Sequence, residues 1–326
     1  VGIKTRISRH FFPDAVAAAA IRRFPPASGL VLMYHEVLPD DIALPAWTVV
    51  RESDFHRQMQ CLATHFDVVS LDEAVNRVSG KAASTRPFAV VTFDDGYQGN
   101  ARTVLPIMER MGLPFTVYAA TRAIVENDLY WYDRVISALA VNREIRVTVK
   151  VNGTPESYTI PSSGEDGRWV HVQRLLSRMK LMPAAERDAT ANEIAADLSL
   201  SDSPLKMLTE EELRLLSASS CVTIGCHTHG HELLDRISPR EAGETLRLSS
   251  DLLTRITGTH PRHFAYPNGN VNQVVRGIVQ QSGFETAVTT ASGLWSGEVS
   301  MMEIPRVGVG RFETITSFKA LISRWV

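Results

Sequence analysis

The fold class this sequence predicts is α/β, with a mostly parallel sheet closed into a distorted barrel of seven or eight β/α units. Three observations point there. Short apolar runs alternate with helical patterns along the chain, which is the signature of parallel strands with crossover helices. About eight of the runs are strand-like. The length, 326 residues, is long for an ordinary domain and normal for one α/β barrel. Apolar residues make up 44 % and charged residues 21 %, enough for a large core and too few charges for disorder. A formal net charge of −2 leaves no basic footprint for nucleic acid.

The chain opens with VGIKTRISRHFFPDAVAAAAIRRFPP, and residues 1–27 read as an N-terminal helical segment. Its apolar run, Ala15 to Ile21, is short and ends in Arg22 and Arg23. It reads as a surface helix or as a basic amphipathic contact with a membrane surface. No run reaches the roughly 18 apolar residues that a membrane-crossing helix needs. Three cysteines, Cys61, Cys221 and Cys226, make no disulfide framework and favour a reducing compartment. The expectation is a cytoplasmic protein, with a membrane-associated one as the variant; the missing initiator Met leaves room for a removed signal peptide.

From residue 28 the strands are expected at Leu30–His35, Asp67–Leu71, Phe88–Phe93, Phe115–Ala120, Cys221–Cys226, His263–Tyr266, Glu285–Thr290 and Glu303–Val309. Helix signals lie between them. Thr209 and Glu212 form a capping box, as do Ser238 and Glu241, with Pro239 at the first helical position and Gly258 closing that helix. Asn270 or Asn272 starts a further helix that Gly283 ends. One stretch breaks the rhythm. Glu144–Ile160 alternates with period two around Asn152-Gly153, a hairpin signature, and helical sequence follows to about Leu198. Residues of about 125–205 therefore read as an insertion within the 28–326 barrel, a lid or substrate-shaping subdomain.

Active groups of α/β barrels collect at the C-terminal ends of the strands. Four strand ends deliver polar residues here: His35; Asp94 and Asp95; His227, His229 and His231; then Tyr266, Pro267, Asn268 and Gly269. In HTHGH, His227 and His231 stand four apart. A helical turn would put both on one side, as zinc hydrolases require. A carboxylate completes such a set, and Asp94 or Asp95 is the obvious supplier. A buried strand that ends in two adjacent carboxylates then makes sense: one binds the cation, and the other takes the proton of an acidified water.

TFDDG (Thr92–Gly96), HTHGH (His227–His231) and FAYPNG (Phe264–Gly269) resemble the three central motifs of the polysaccharide deacetylases with a NodB-homology domain. Their order, spacing and placement at strand ends match over roughly 28–122 and 205–310. The resemblance implies a distorted barrel of the NodB-homology type and a divalent metal, usually Zn2+, with Co2+, Ni2+ or Fe2+ as other users. The implied reaction is hydrolysis of an N-acetyl, sometimes O-acetyl, group on a sugar. It implies Asp94 as general base, Asp95, His227 and His231 as metal ligands, and the backbone N–H of Asn268, in the Tyr266-Pro267-Asn268 turn, as an oxyanion donor. His229 falls at a variable position.

Two departures matter. Many relatives carry an arginine where this chain has Ala265, and that arginine steadies the catalytic aspartate; Arg306, in EIPRVGV, is the candidate replacement, because Arg262 precedes its strand. Some relatives use a C-terminal histidine as acid, and no histidine follows His263. YHEV resembles the opening strand of the exopolysaccharide-modifying branch, which makes His35 the expected donor. The aromatic wall near the acetyl group falls to Trp295 or to the cluster Tyr130–Asp133, represented by Trp131. The expected partner is an N-acetylated carbohydrate: polysaccharide, oligosaccharide or glycan precursor. A hydrolase of a small non-sugar amide, an O-acetyl esterase, and a binding module without chemistry are the competing readings; the intact Asp94, Asp95, His227 and His231 set argues against the last.

Overall fold

A computed structural model describes residues 12–42, 44, 46–82, 85–140, 143–151, 153–162, 165–196 and 203–325. Its strands, in chain order, are β1 Gly29–Tyr34, β2 Glu36–Leu38, β3 Val49–Arg51, β4 Asp67–Val68, β5 Phe88–Phe93, β6 Phe115–Ala119, β7 Ile145–Val151, β8 Thr154–Ile160, β9 Val222–Cys226, β10 His263–Ala265, β11 Thr286–Val288 and β12 Val307–Gly308. Eight of them build one curled parallel sheet in the order β11-β10-β9-β6-β5-β1-β12, with β4 pairing β5 beside that path. β1 and β5 lie in register, Val31 opposite Val90, and every residue of both is buried. Continuous apolar runs such as LVLMY and FAVV suit strands covered on both faces.

The segment before β12 links the two edges of the sheet. Ile304 pairs with Val288 of β11, and three residues later Val307 pairs with Leu32 of β1. This one segment bridges the edges and carries Arg306 between its two contacts. The fold is the distorted (β/α) barrel expected of the NodB-homology type.

Most expected elements appear within a residue or two. Both capping boxes form reciprocally, at Thr209/Glu212 and Ser238/Glu241, and Gly258 caps its helix with φ +75°. Asn272, not Asn270, caps the helix Gln273–Gln281. The strand expected at Asp67–Leu71 stops at Val68, because the Ser70 side chain accepts from Glu73 N and starts the helix Leu71–Val78. The short parallel pair β2–β3 gave no sequence signal; three residues are too few to show a period.

Between β6 and β9 lie the helix Trp131–Ala138, the antiparallel hairpin β7–β8 and the helices Glu165–Met179 and Ala184–Ile194. Gly153 takes φ +78° in the hairpin turn; Asn152 and the expected helix end near Leu198 lie outside the described residues. This region has its own apolar cluster, in which Val135, Val149 and Leu175 pack on from Leu38, Val49 and Tyr97 at the barrel rim. At the N-terminus, helix Asp14–Ile21 buries Ala17 and Ile21 beside the helix Ile315–Ser323, with Asp14 and Lys319 2.5 Å apart. Its apolar side is covered by protein, which leaves the expected membrane contact without support; residues 1–11 lie outside the described set. No helix among the described residues is long and apolar enough to cross a membrane. All three cysteines are free.

β2 carries a buried carboxyl. Glu36 is 1 % exposed and accepts from Val37 N at 2.7 Å and Gly99 N at 3.2 Å. A Cβ at Gly99 would sit 1.9 Å from Glu36 Oε1, so only glycine permits this approach. Burial raises the Glu36 pKa from 4.5 to about 8, against the two backbone hydrogen bonds. The folded protein therefore keeps a proton there that the unfolded chain loses. Stability from this group is full below about pH 4.5 and declines as pH rises to about 8. Glu36→Gln, which cannot ionise, should gain melting temperature relative to the parent between pH 5 and pH 8, an effect on the order of a few kcal/mol. Melting curves that stay parallel across that range would show that Glu36 is not held neutral.

Candidate metal centre and active site

The chain reverses sharply after β5. Asp94 N is still bonded to Tyr34 O of β1, but Asp95 takes φ +74° and Gly96 N folds back to Asp94 O at 3.0 Å. Aspartate tolerates this left-handed conformation better than most residues, at a cost of about 1–2 kcal/mol. The reversal gives the two neighbouring carboxylates different partners.

Asp94 meets Arg306. Both carboxylate oxygens accept from the guanidinium at 2.7 Å, and the pair is buried. Arg306 also donates to Thr289 O at 2.8 Å and Thr92 Oγ1 at 3.2 Å, and Tyr118 lies 5.7 Å from it. Burial alone would raise the Asp94 pKa; the charge and hydrogen bonds of Arg306 outweigh it and bring it below the usual carboxylate value. Arg262 sits elsewhere, paired with Asp72 and Glu285 before β10.

Asp95 meets the histidines. Its Oδ1 lies 3.4 Å from Nε2 of both His227 and His231, and one ligand atom from each of the three residues falls within 4.8 Å of the others. Burial works against the Asp95 charge, but the histidines around it, the His227 hydrogen bond first, hold its pKa well below 3.8. His227 Nδ1 donates to Ala265 O at 2.7 Å, so Nε2, which faces Asp95, is the nitrogen a cation would take; with no cation, the Asp95 hydrogen bond and the two aspartate charges outweigh burial and raise the His227 pKa. Burial pushes His231 down to about 4, so its imidazole is neutral and open to a ligand at neutral pH. One carboxylate and two imidazoles whose ligand atoms converge are a donor set that fits a divalent cation of the zinc kind.

Residues 227–231 are not the helical turn expected. Thr228 and His231 take φ +64° and +58°, and the loop is pinned from outside. Thr228 O accepts from Ser249, while Glu232 Oε2 accepts from Gly230 N and from Thr245 Oγ1. The histidines still meet, with ring centroids 4.9 Å apart, because two left-handed residues do the folding that a helix would have done. His229 turns away and bonds Thr121 Oγ1.

His35 directly follows β1 on the same rim. It is 8 % exposed, its Nδ1 has no hydrogen-bond partner among the described residues, and Trp47 stands edge-on at 5.0 Å. Its carbonyl is held by Asn100, in a π-helical turn over Asn100–Val104. Burial lowers its pKa, and Asp95 and Asp94 partly offset that. After β10, Asn268 is exposed with φ +56°, and Gly269 with φ +76° packs where a Cβ would lie 2.0 Å from Thr290 Oγ1.

Of the two places expected for an aromatic wall, Trp295 is remote from the site, and the cluster Tyr130–Asp133 reaches it through its tyrosines rather than through Trp131. Trp295 is fully buried and bridges Gly29, at the N-terminal end of β1, so it lies at the opposite end of the barrel. Trp131 packs under the Arg187 guanidinium, 4.9 Å away. Tyr266, expected with Pro267 to contact substrate, packs against Phe264, and both residues are buried. The aromatics beside the imidazoles are Tyr130 and Tyr132, 5.5 and 6.2 Å from the His231 ring. Their signal was the alternation in YWYD: the helix begins at Trp131 with Tyr130 as its cap, and the two tyrosines stack at 5.2 Å.

The geometry puts Asp94 at the mercy of Arg306. Arg306→Met fills much of the same volume but leaves a buried carboxylate alone, and breaking such a pair costs about 3–5 kcal/mol. Asp94 should then titrate higher, since the largest influence lowering it is gone. The acidic limb of kcat/KM against pH should move up by roughly 1–3 pH units. A limb that stays in place would show that Asp94 is not the group titrating there.

Comparisons with known proteins give the chain a family and a fold. A family model described as polysaccharide deacetylase matches residues 81–287. No curated protein matches. Among solved structures the chain is similar to the deacetylase PplD of Streptococcus pyogenes in complex with acetate, at 15 % identity and TM-score 0.60 over 91 % of this chain and 99 % of that one. It is similar to IcaB from Ammonifex degensii at 17 % identity and TM-score 0.59, over 91 % and 97 %. BC0361, a polysaccharide deacetylase from Bacillus cereus, aligns at 16 % identity and TM-score 0.57, over 90 % and 69 %. At such identities these resemblances speak for the fold.

Proposed function

The chain belongs to the polysaccharide deacetylase family, the NodB-homology carbohydrate esterases, and from that premise we propose that it is a metal-dependent N-deacetylase of an N-acetylated glycan or glycan precursor. The observation that carries this reading is the division of labour between two adjacent aspartates. Asp95 joins two imidazoles in a ligand set, and Asp94 stands beside them, ionised by Arg306. Asp95, His227 and His231 would hold the cation. A divalent cation there acidifies water and polarises the acetyl carbonyl.

The chain's own residues do the rest. Asp94 takes a proton from water as the water oxygen adds to the acetyl carbon. Arg306 occupies one lone-pair direction on each Asp94 oxygen, and each oxygen keeps another for that proton. The backbone N–H of Asn268 steadies the oxyanion. The C–N bond then breaks, His35 gives a proton to the departing amine, and acetate and a free amino sugar result. The test is acetate release from a panel of N-acetylated oligosaccharides, before and after chelation and after zinc is restored. Release from O-acetylated sugars alone, or from small non-sugar amides alone, would redirect the assignment.

Asp94→Asn should bind zinc like the parent and lose about 10²–10⁴ in turnover, the usual contribution of a general base. Near-parental turnover in that variant would show the two aspartates exchanged in role.

His35→Ala should keep zinc affinity and lose turnover on amides. An activated aryl acetate should suffer much less, because a phenolate leaves without a proton. An amide-to-ester activity ratio equal to the parent's would remove His35 from the acid role and leave it a core residue.

A further inference from the structure

The insertion between β6 and β9 sends two hydroxyls back to the ligand cluster. Tyr132 Oη donates to Asp95 Oδ2 at 3.1 Å, and Tyr130 Oη donates to the Asp95 backbone oxygen at 2.9 Å. The rings lie parallel within 7°. The helix that carries them is tied to the loop that carries Asp95: Tyr97, two residues further along, donates to both oxygens of buried Asp133, at 3.0 and 2.9 Å. We infer that Tyr132 is a positioning residue of the metal centre, which holds Asp95 so that Oδ1 alone is offered beside the two imidazole nitrogens. Tyr130 supports it by capping the carbonyl of a residue held in a left-handed conformation.

The physical case rests on what an aspartate does without such a partner. Its carboxylate rotates about two torsions, and either oxygen can face a cation. Oδ1 is the oxygen 3.4 Å from both Nε2 atoms, and Oδ2 is the one the phenol holds. A hydroxyl fixed by stacking and by the Asp133–Tyr97 anchor stops that rotation before any ligand arrives. Groups of this kind, which hydrogen-bond a ligating side chain, typically account for 10–100-fold in metal affinity. The inference rests on the metal reading above, and it makes the insertion part of the metal centre as well as a neighbour of it.

The test is Zn2+ affinity of the metal-free, full-length protein, measured by competition with a chelating dye, with the melting temperature of the metal-free form recorded alongside. Tyr132→Phe keeps the ring and its stacking and removes only the hydroxyl. It should weaken zinc binding about 10–100-fold while the metal-free melting temperature stays at the parental value. Trp169→Phe, in the same insertion and buried in the same apolar cluster but with no ring contact to Tyr132, should bind zinc like the parent. Equal zinc affinity in Tyr132→Phe and the parent overturns the inference and leaves the metal reading standing. Equal weakening in Tyr132→Phe and Trp169→Phe, with lower melting temperatures in both, overturns it in favour of a general loss of packing. A parent protein that binds no zinc overturns the metal reading itself.

Discussion

Everything at the centre of this barrel leans on the pairing of Arg306 with Asp94. A guanidinium with no solvent exposure is tolerable only when its donors are satisfied, and here they reach Asp94, Thr92 and Thr289. Those partners belong to β5 and to the end of β11, while Arg306 itself leads into β12. The same four hydrogen bonds therefore knit both edges of the sheet and fix the carboxylate. Buried ion pairs gain little over apolar packing when formed but cost much when broken. Their usefulness here is directional: the pair defines which way Asp94 points.

That fixed direction is also what separates two like charges one residue apart. Were both aspartates to face the same space, one would be driven to hold a proton. The left-handed turn at Asp95 sends one toward a permanent cation and the other toward imidazoles that a metal can use. The strain of the turn lies in the backbone, at the residue whose carbonyl Tyr130 secures.

Sequence carried the barrel well and the surroundings of the site less well. Long apolar runs and capping residues report local physics, and strands such as Phe88–Phe93 and caps such as Ser238 and Gly258 follow directly. His227, His231 and the aspartate pair were legible as a candidate ligand set because their chemistry is written in residue type, while the choice of Asp95 over Asp94 came from the family resemblance alone. The conformation joining the histidines was not, since two left-handed residues can imitate a helical spacing and only outside partners such as Ser249 and Glu232 select them. Aromatic placement was the weakest point. Trp295 and Tyr266 bury apolar rings as readily as they would stack on a sugar, and the choice depends on which element covers them. Arg306 stood out as a cation inside an apolar strand, a pattern that costs too much to occur without a partner.

The bridging segment that carries Arg306 also imposes an order of events on a newly made chain. Asp94 and Arg306 are 212 residues apart in sequence. At about 5–20 residues per second of synthesis, the carboxylate waits on the order of 10–40 s for its counter-charge to leave the ribosome. During that interval β1 and β5 can pair locally, but the interior of the nascent barrel has an aspartate with no arginine, and the sheet has two open edges. A chain at that stage is better served by keeping Asp94 wet or protonated than by burying it as an ion. Assembly of the candidate site thus waits for one of the late long-range contacts, followed by those of β12 and the C-terminal helix, so a fragment arrested before residue 306 would present an aggregation-prone sheet in which Asp94 lacks its counter-charge.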